Sequence, residues 1–353
     1  MFKPYSKWCL VLSLYAGAAA AANNQPGFIV LDANALPWAI SADGSIVIGN
    51  YYGGSGFYWR WDTGTVPIGG NGVSGISADG MTIVGRANDV MGVENAAIWQ
   101  GGTAWQVIGS FTPDAMPCGQ SLSSAYGVSG DGSVIVGLGW GLALPVCAPA
   151  AAHGFRWDAA SGMTDLGSIE ATRASRANAI SADASTIVGW SDQATGFRQG
   201  ARWVDGAWQW LNNKYGPVGE ALAVNSDGSI IVGYGCGPLN QWAWSWTEDA
   251  GVQCINGTVA DPYQTFMSAL SDDGQVIAGA VRPEFGPESD AVLWLNSQPM
   301  DLKQYLLDRG LSELESWTLS WANAVSADGS VVAGYGVGPD LLLHGFVVTL
   351  GQE

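Results

Sequence analysis

Histidine is almost missing from this 353-residue sequence, with His153 and His344 its two copies. A Ser-His-Asp triad or a His-rich zinc site needs a histidine with a role of its own. These two occupy the same position of an internal repeat, so a shared structural cause is expected in place of catalysis. Basic residues are scarce too: 13 Lys and Arg stand against 31 Asp and Glu, a net charge of −18. Such a field repels phosphate backbones and excludes nucleic acid as a partner. Charged residues make up 12% of the chain, too few for many helices with solvated charged faces. Long apolar runs are absent as well. The N-terminal one, Trp8 to Tyr15, is short for a membrane span.

That run has the layout of a secretory leader. Lys3 and Lys7 form a positive start and Ala16 to Ala22 a small-residue cleavage zone. Residues 1–22 are therefore expected to be a signal peptide and 23–353 one domain, with a retained anchor as the alternative. Cleavage removes two lysines and no acid, taking the charge from −18 to −20. The mature chain is expected to be secreted, extracellular or periplasmic, monomeric and without a transmembrane span. Four of the five cysteines then remain, Cys118, Cys147, Cys236 and Cys254. An even number in an exported protein favours disulfides over metal or redox chemistry.

Glycine is plentiful, at 50 residues, and much of it belongs to a phrase that returns seven times. A small apolar pair, Ser, a small residue, Asp and Gly lead into a β-branched run ending in Gly. The copies centre on Asp43, Asp79, Asp131, Asp183, Asp227, Asp273 and Asp328, spaced 36, 52, 52, 44, 46 and 55 residues apart. A period of this size denotes a repeat architecture. Each copy holds four strand-like pieces, shown best in the fourth by Asn178–Ile180, Ser185–Gly189, Gly200–Trp203 and Trp208–Leu211. An Asp205-Gly206 hairpin turn joins the last two. Four antiparallel strands per repeat describe a β-propeller blade.

The third strand carries an apolar residue, a spacer and Trp, as in Phe57-Tyr58-Trp59, Trp244-Ser245-Trp246 and Val292-Leu293-Trp294. The i, i+2 spacing puts both side chains on one face, which points to packing between blades. The seventh copy stops one strand short at Val347–Leu350, while an orphan strand, Phe28–Asp32, precedes the first. Pairing these ends closes a ring and removes exposed edges. The fold expected is all-β, a seven-bladed propeller whose last blade is completed by the N-terminal strand. Asp301–Gly310 reads as a short helix at the junction of blades 6 and 7, opened by an acid and closed by Gly.

The recurring A-[IV]-S-x-D-G-S-x-[IV]-V-G, followed by an H/G-[AF]-F-x-W strand, resembles the HAF-type extracellular repeat of secreted bacterial proteins. His153-Gly154-Phe155-Arg156-Trp157 and His344-Gly345-Phe346 match the His-small-Phe step of that repeat. Asp301–Leu306, Trp317–Leu319 and Ala322–Ser326 resemble its longer insert. The resemblance spans about residues 28 to 350 and implies export and a propeller-like array. Some members carry an autotransporter barrel, which this sequence does not contain. No agreed activity or catalytic residue comes with the family. The Ser-x-Asp-Gly turn also resembles turns of other propellers, the TolB type among them.

The seven Asp residues could be imagined as metal ligands, but a carboxylate in such a turn accepts backbone N–H bonds, and a structural role is expected. Connections between strands two and three, and from blade to blade, are long and share one face. They comprise 51–56, 86–95, 110–124, 138–152, 190–199, 234–241 and 280–290. Binding residues usually reside on such loops. Cys118 and Cys147 fall in adjacent connections of blade 3, and Cys236 and Cys254 flank one strand of blade 5. The pairs expected are Cys118–Cys147 and Cys236–Cys254. Tyr51, Tyr52, Trp140, Trp190, Tyr234 and Phe285 supply aromatic surfaces on the long-loop face, beside acids such as Asp89, Asp192 and Asp290. Aromatic platforms with carboxylates suit sugar rings, and the carboxylates suit Ca2+, the one cofactor considered. The bland alternative is a solvated rim. The reading favoured is a non-catalytic binding protein for a glycan or cell-surface protein. A propeller glycan lyase or glycosidase and a structural surface protein are the alternatives.

Overall fold

The computed structural model describes residues 26–351, apart from 103, 112–121, 144–147, 215, 238–240, 256–262 and 284–288. The leader, Cys118, Cys147 and Phe285 lie outside the described residues.

Seven four-stranded antiparallel sheets follow one another along the chain. Blade 1 is Ala35–Ile40, Ile46–Tyr51, Gly56–Arg60 and Gly64–Gly69. The first strands of blades 2 to 7 are Gly72–Ile76, Ser123–Val128, Ser175–Ile180, Ala221–Val224, Tyr263–Leu270 and Thr318–Val325. All seven first strands line the central tunnel. Blade 7 takes its outer strand from the start of the chain: β1, Gly27–Ala33, lies antiparallel on Leu343–Thr349 with Phe28 opposite Val348. The ring therefore closes as the two chain ends suggested, and the fold is a seven-bladed β-propeller.

The repeated phrase makes a closed circuit of hydrogen bonds. Ser41 Oγ donates to Asp43 Oδ1 (2.7 Å), Ser45 N–H donates to the same oxygen (2.9 Å), and Ile46 N–H donates to Ser41 Oγ (3.0 Å). Blades 2, 3, 4, 6 and 7 repeat it, and Asn225 replaces the serine in blade 5. Backbone bonds beside each Asp join neighbouring blades. Ala42 N–H reaches Ala78 O (3.0 Å), Ala78 N–H reaches Gly130 O (3.0 Å), and Ala327 N–H returns to Ala42 O (2.9 Å). These bonds draw the seven turns together on one face. Each Asp carboxylate accepts hydrogen bonds within its own turn, and all seven carboxyls are held below their ordinary range.

The core lies between blades. Phe57, Ala97, Phe155, Ala201, Trp244, Val292 and Phe346, two before the Trp position of each third strand, are all buried. Trp59, Trp246 and Trp294 are buried beside them, and Trp99, Trp157 and Trp203 are half-buried. The helix α1, Leu302–Leu307, is capped by Asp301, whose side chain accepts from Gln304 N–H. It buries Leu302, Tyr305 and Leu306 in the cluster shared by blades 6 and 7. Cys236 and Cys254 form a disulfide with Cα atoms 5.6 Å apart, joining the second and fourth strands of blade 5.

Candidate ligand-binding site

Two backbone devices in every blade shape the tunnel. Four residues before each Asp the side chain is Ala or Gly: Ala39, Gly75, Gly127, Ala179, Ala223, Ala269 and Ala324. Five before it lies a β-bulge, where the register of first and second strands slips, as between Pro37 and Ala39. The bulged residues are Trp38, Ser74, Tyr126, Asn178, Leu222, Ser268 and Asn323, and all line the tunnel. A bulge bends the strand and re-aims its side chains. Six residues after each Asp the second strand has Gly, because the first strand leans onto it there. A Cβ on Gly189 would stand 1.9 Å from the Arg176 carbonyl oxygen, and one on Gly279 would stand 1.8 Å from that of Phe266.

The cavity so formed measures about 650 Å3. Its lining ends at a ring of apolar residues three before each Asp, among them Ile40, Ile180 and Leu270. First strands enter from the long connections and leave into the Asp turns, so the end of the cavity away from that apolar ring is on the long-loop face.

Around that end runs an arc of aromatic and guanidinium groups. The Arg176 guanidinium carbon lies 5.3 Å from the Tyr126 ring centre and 5.6 Å from that of Trp190, and Arg198 stacks on Trp190 at 4.0 Å. Both arginines pair with the buried carboxylate of Glu220, Arg176 at 2.7 Å. Tyr234 follows, packed on Phe266 at 5.1 Å, and Phe266 on Trp321 at 5.2 Å. Trp38 and Tyr335 complete the lining on the far side, and Trp38 is 53% exposed. Polar bulge residues stitch the blades beneath the arc. Asn178 Nδ2 donates to Ala221 O (2.8 Å), Asn323 Nδ2 to Pro37 O (2.8 Å), and Trp321 Nε1 to Ser268 Oγ (3.0 Å).

Electrostatics in the arc follow burial. Burial pushes the Tyr234 phenol up, and the Glu220 charge adds to it; burial alone does the same at Tyr335. Asp192 is raised by desolvation, which Arg198 and Arg173 offset in part. Trp190 Nε1 is buried without a hydrogen-bond partner among the described residues.

Of the six aromatic residues expected on the long-loop face, the structure brings Trp190 and Tyr234 into the arc. Both sit one residue after the second-strand Gly, in register with Tyr335. Trp190 is buried under arginine and offers no open stacking face. Tyr51 packs on Phe57 at 5.2 Å, Tyr52 is 81% exposed on its loop, and Trp140 is half-buried in blade 3. Asp89 accepts from Met91 and Val93 N–H in its own loop. No three of His, Cys, Asp and Glu converge on a common point among the described residues. The residues missed by sequence reasoning are Trp38, Tyr126, Arg176, Arg198, Glu220, Phe266, Trp321 and Tyr335. Apart from Arg198, which stands at the start of the third strand of blade 4, their signal lies at fixed offsets from the repeat Asp: five and seven before it, and seven after it. His153 and His344 each bind a carboxylate and a backbone carbonyl, Asp165 with Arg173 O and Asp340 with Leu31 O. No described helix is long and apolar enough to cross a membrane.

No family model matches the chain and no curated protein does. Solved structures are similar in fold at low identity. The RRP9 WD40 repeats are 12% identical with a TM-score of 0.52, covering 92% of this chain and 98% of that one. A prolyl endopeptidase is 10% identical with a TM-score of 0.56, covering 94% of this chain and 53% of that one. TolB from Acinetobacter baumannii is 14% identical with a TM-score of 0.46; the match covers 80% of this chain and 65% of the TolB chain. Likeness at this level concerns the propeller fold alone.

Proposed function

We propose that this chain is an exported binding protein that admits the end of a glycan into the tunnel from the long-loop face. The observation carrying the reading is the continuous arc from Tyr126 to Trp321, set opposite a solvent-exposed tryptophan inside the cavity. Planar rings beside fixed polar groups are the usual means of holding a sugar ring. The same face carries the apolar loop tips Tyr52, Met91, Phe197 and Leu341, 70% exposed or more, which suits a face that meets a partner. Export is supported by the leader-like start and by a disulfide, a bond that persists in oxidising compartments. Kinship with HAF-type extracellular repeats belongs to the same proposal.

Binding is preferred to lyase or glycosidase chemistry at this site for an electrostatic reason. A lyase needs a phenol or carboxylate poised as a base near neutral pH. Here Tyr234 and Tyr335 are pushed up, Glu220 is fixed between two guanidiniums, and Asp192, though raised by desolvation, has Arg198 and Arg173 favouring its charged form.

Purified residues 23–353 would be applied to a glycan array in Ca2+ and again in EDTA, beside the variant Trp38→Ala. Selective binding by the wild type, lost at least about tenfold in the variant with unchanged melting, supports the reading. Loss in EDTA would assign Ca2+ to the acidic loops. A blank array with folded protein overturns the glycan assignment.

A further inference from the structure

The two halves of the tunnel mouth differ in chemistry, and the ring order sets them face to face. In a seven-membered ring blade 4 stands opposite blades 7 and 1. Arg176 on blade 4 and Trp321 on blade 7 occupy the same register, seven before the repeat Asp, with Trp38 two residues deeper on blade 1. Arg176 and Arg198, stacked on Tyr126 and Trp190, thus face a wall that carries Trp38 and Trp321, with Arg282 over Phe266 on blade 6 between the two. Resting on the glycan reading above, we propose that the ligand is an anionic sugar whose ring lies on the Trp38 and Trp321 wall while its carboxylate or sulfate meets Arg176 and Arg198.

The charge distribution supports this. Only nine of the residues are arginine, yet Arg173, Arg176 and Arg198 gather at blade 4 in a chain of net charge −18. They oppose two carboxylates, Asp192 and Glu220, and Glu220 already has both oxygens on guanidiniums. A second observation is independent of the arginines. The Trp190 indole N–H, on a residue 5% exposed, lacks an acceptor among the described residues, and it sits directly beneath Arg198. A guanidinium held by a carboxylate behind it and an indole under it is pre-organised, so a bidentate anion would lose little side-chain freedom.

The test compares ligands on the unaltered protein. Titration calorimetry of residues 23–353 would use uronic-acid oligosaccharides, their methyl esters, sulfated oligosaccharides and neutral isomers. Acid or sulfate forms binding at least about tenfold tighter than the neutral ones support the proposal, and the stronger of the two names the anion. Arg198→Met is expected to erase most of that preference, bringing the affinity for the acid or sulfated forms down towards that for the neutral ones; a preference undiminished in the variant overturns the role of Arg198. Equal affinity for the acid, sulfated and neutral forms overturns the anion and leaves the glycan reading standing. No binding by any sugar overturns both.

Discussion

At the scale of single residues, the seven turns are strict about backbone conformation. The residue after each Asp has φ between 61° and 77°, and six of the seven are Gly. The exception is Ala184, at φ 61°. A Cβ is disfavoured there by about 1 kcal/mol. Ala184→Gly is therefore expected to stabilise the protein by about that much, raising the melting temperature by about 2 °C. An unchanged or lowered melt would show that Ala184 gains more from packing beside Trp203 and Ile187 than its backbone loses. His153 works through a different balance. The Asp165 carboxylate raises its pKa, against burial, and Arg173 O adds to the effect. A histidine raised in the folded state stabilises below its unfolded value near 6.5 and loses that contribution as pH rises through the folded value. Asp165→Asn is thus expected to cost stability at pH 5 and little at pH 9, as read by paired thermal melts.

At the scale of the strand, the bulge and the glycine facing it act as one device. Gly189 lets the carbonyl of Arg176 approach, and a methyl there would stand 1.9 Å from that oxygen. Gly189→Ala is expected to destabilise by about 2–3 kcal/mol, since a tightly packed backbone has nowhere to move. Gly206→Ala is the control, as nothing lies within 4 Å of a Cβ there and only its φ of 83° is strained. A Gly189 variant no worse than this control would show that the first strand is not pinned. The same device explains what was legible in the sequence. Asp, Gly and small residues recur because turn and bulge accept few residue types, so blade number and ring closure could be read from them. The tunnel residues occupy offsets where the backbone sets the direction and leaves the side chain free. Those five before the Asp run Trp, Ser, Tyr, Asn, Leu, Ser, Asn, which shows no repeat. Trp190 and Tyr234, which the repeat spacing assigns to long connections, lie within second strands and not in loops.

At the scale of the whole molecule, the repeats share their vulnerabilities. All seven turn carboxyls are held low. Asp131 is brought from 3.8 to about 2, chiefly by the Ser129 hydroxyl and then by Ser133 N–H. At Asp43, Asp183 and Asp328 burial opposes the shift and the hydrogen bonds outweigh it. Carboxyls depressed in the folded state stabilise fully above their unfolded value and lose that contribution as pH falls through the folded one. Stability should therefore hold down to about pH 4 and fall between pH 4 and pH 2, the turns of all blades titrating in one window. Chemical denaturation at stepped pH reads this directly, and a loss centred above pH 5 would point to other groups.

Closure is the second shared dependence, because the ring is held at the turn face and at the rim, besides the Asn323 Nδ2 bond to Pro37 O in the tunnel. On the turn face the closing bond is Ala327 N–H to Ala42 O, and at the rim it is β1 on Leu343–Thr349. Deleting residues 26–33 leaves the first bond and removes the second, exposing the edge of Leu343–Thr349 and the apolar side chains that Phe28 and Leu31 cover. The truncated chain should melt lower and associate through that edge. A circular permutant that joins 351 to 26 and opens between Gly69 and Gly72 keeps every strand pair while moving the break to blade 1. It should fold and melt close to the wild type, since the broken connection there is not part of a sheet. Light scattering and melting of the two proteins separate strand pairing from chain order. If the permutant failed while the truncation survived, stability would depend on where the chain begins and not on the closed ring.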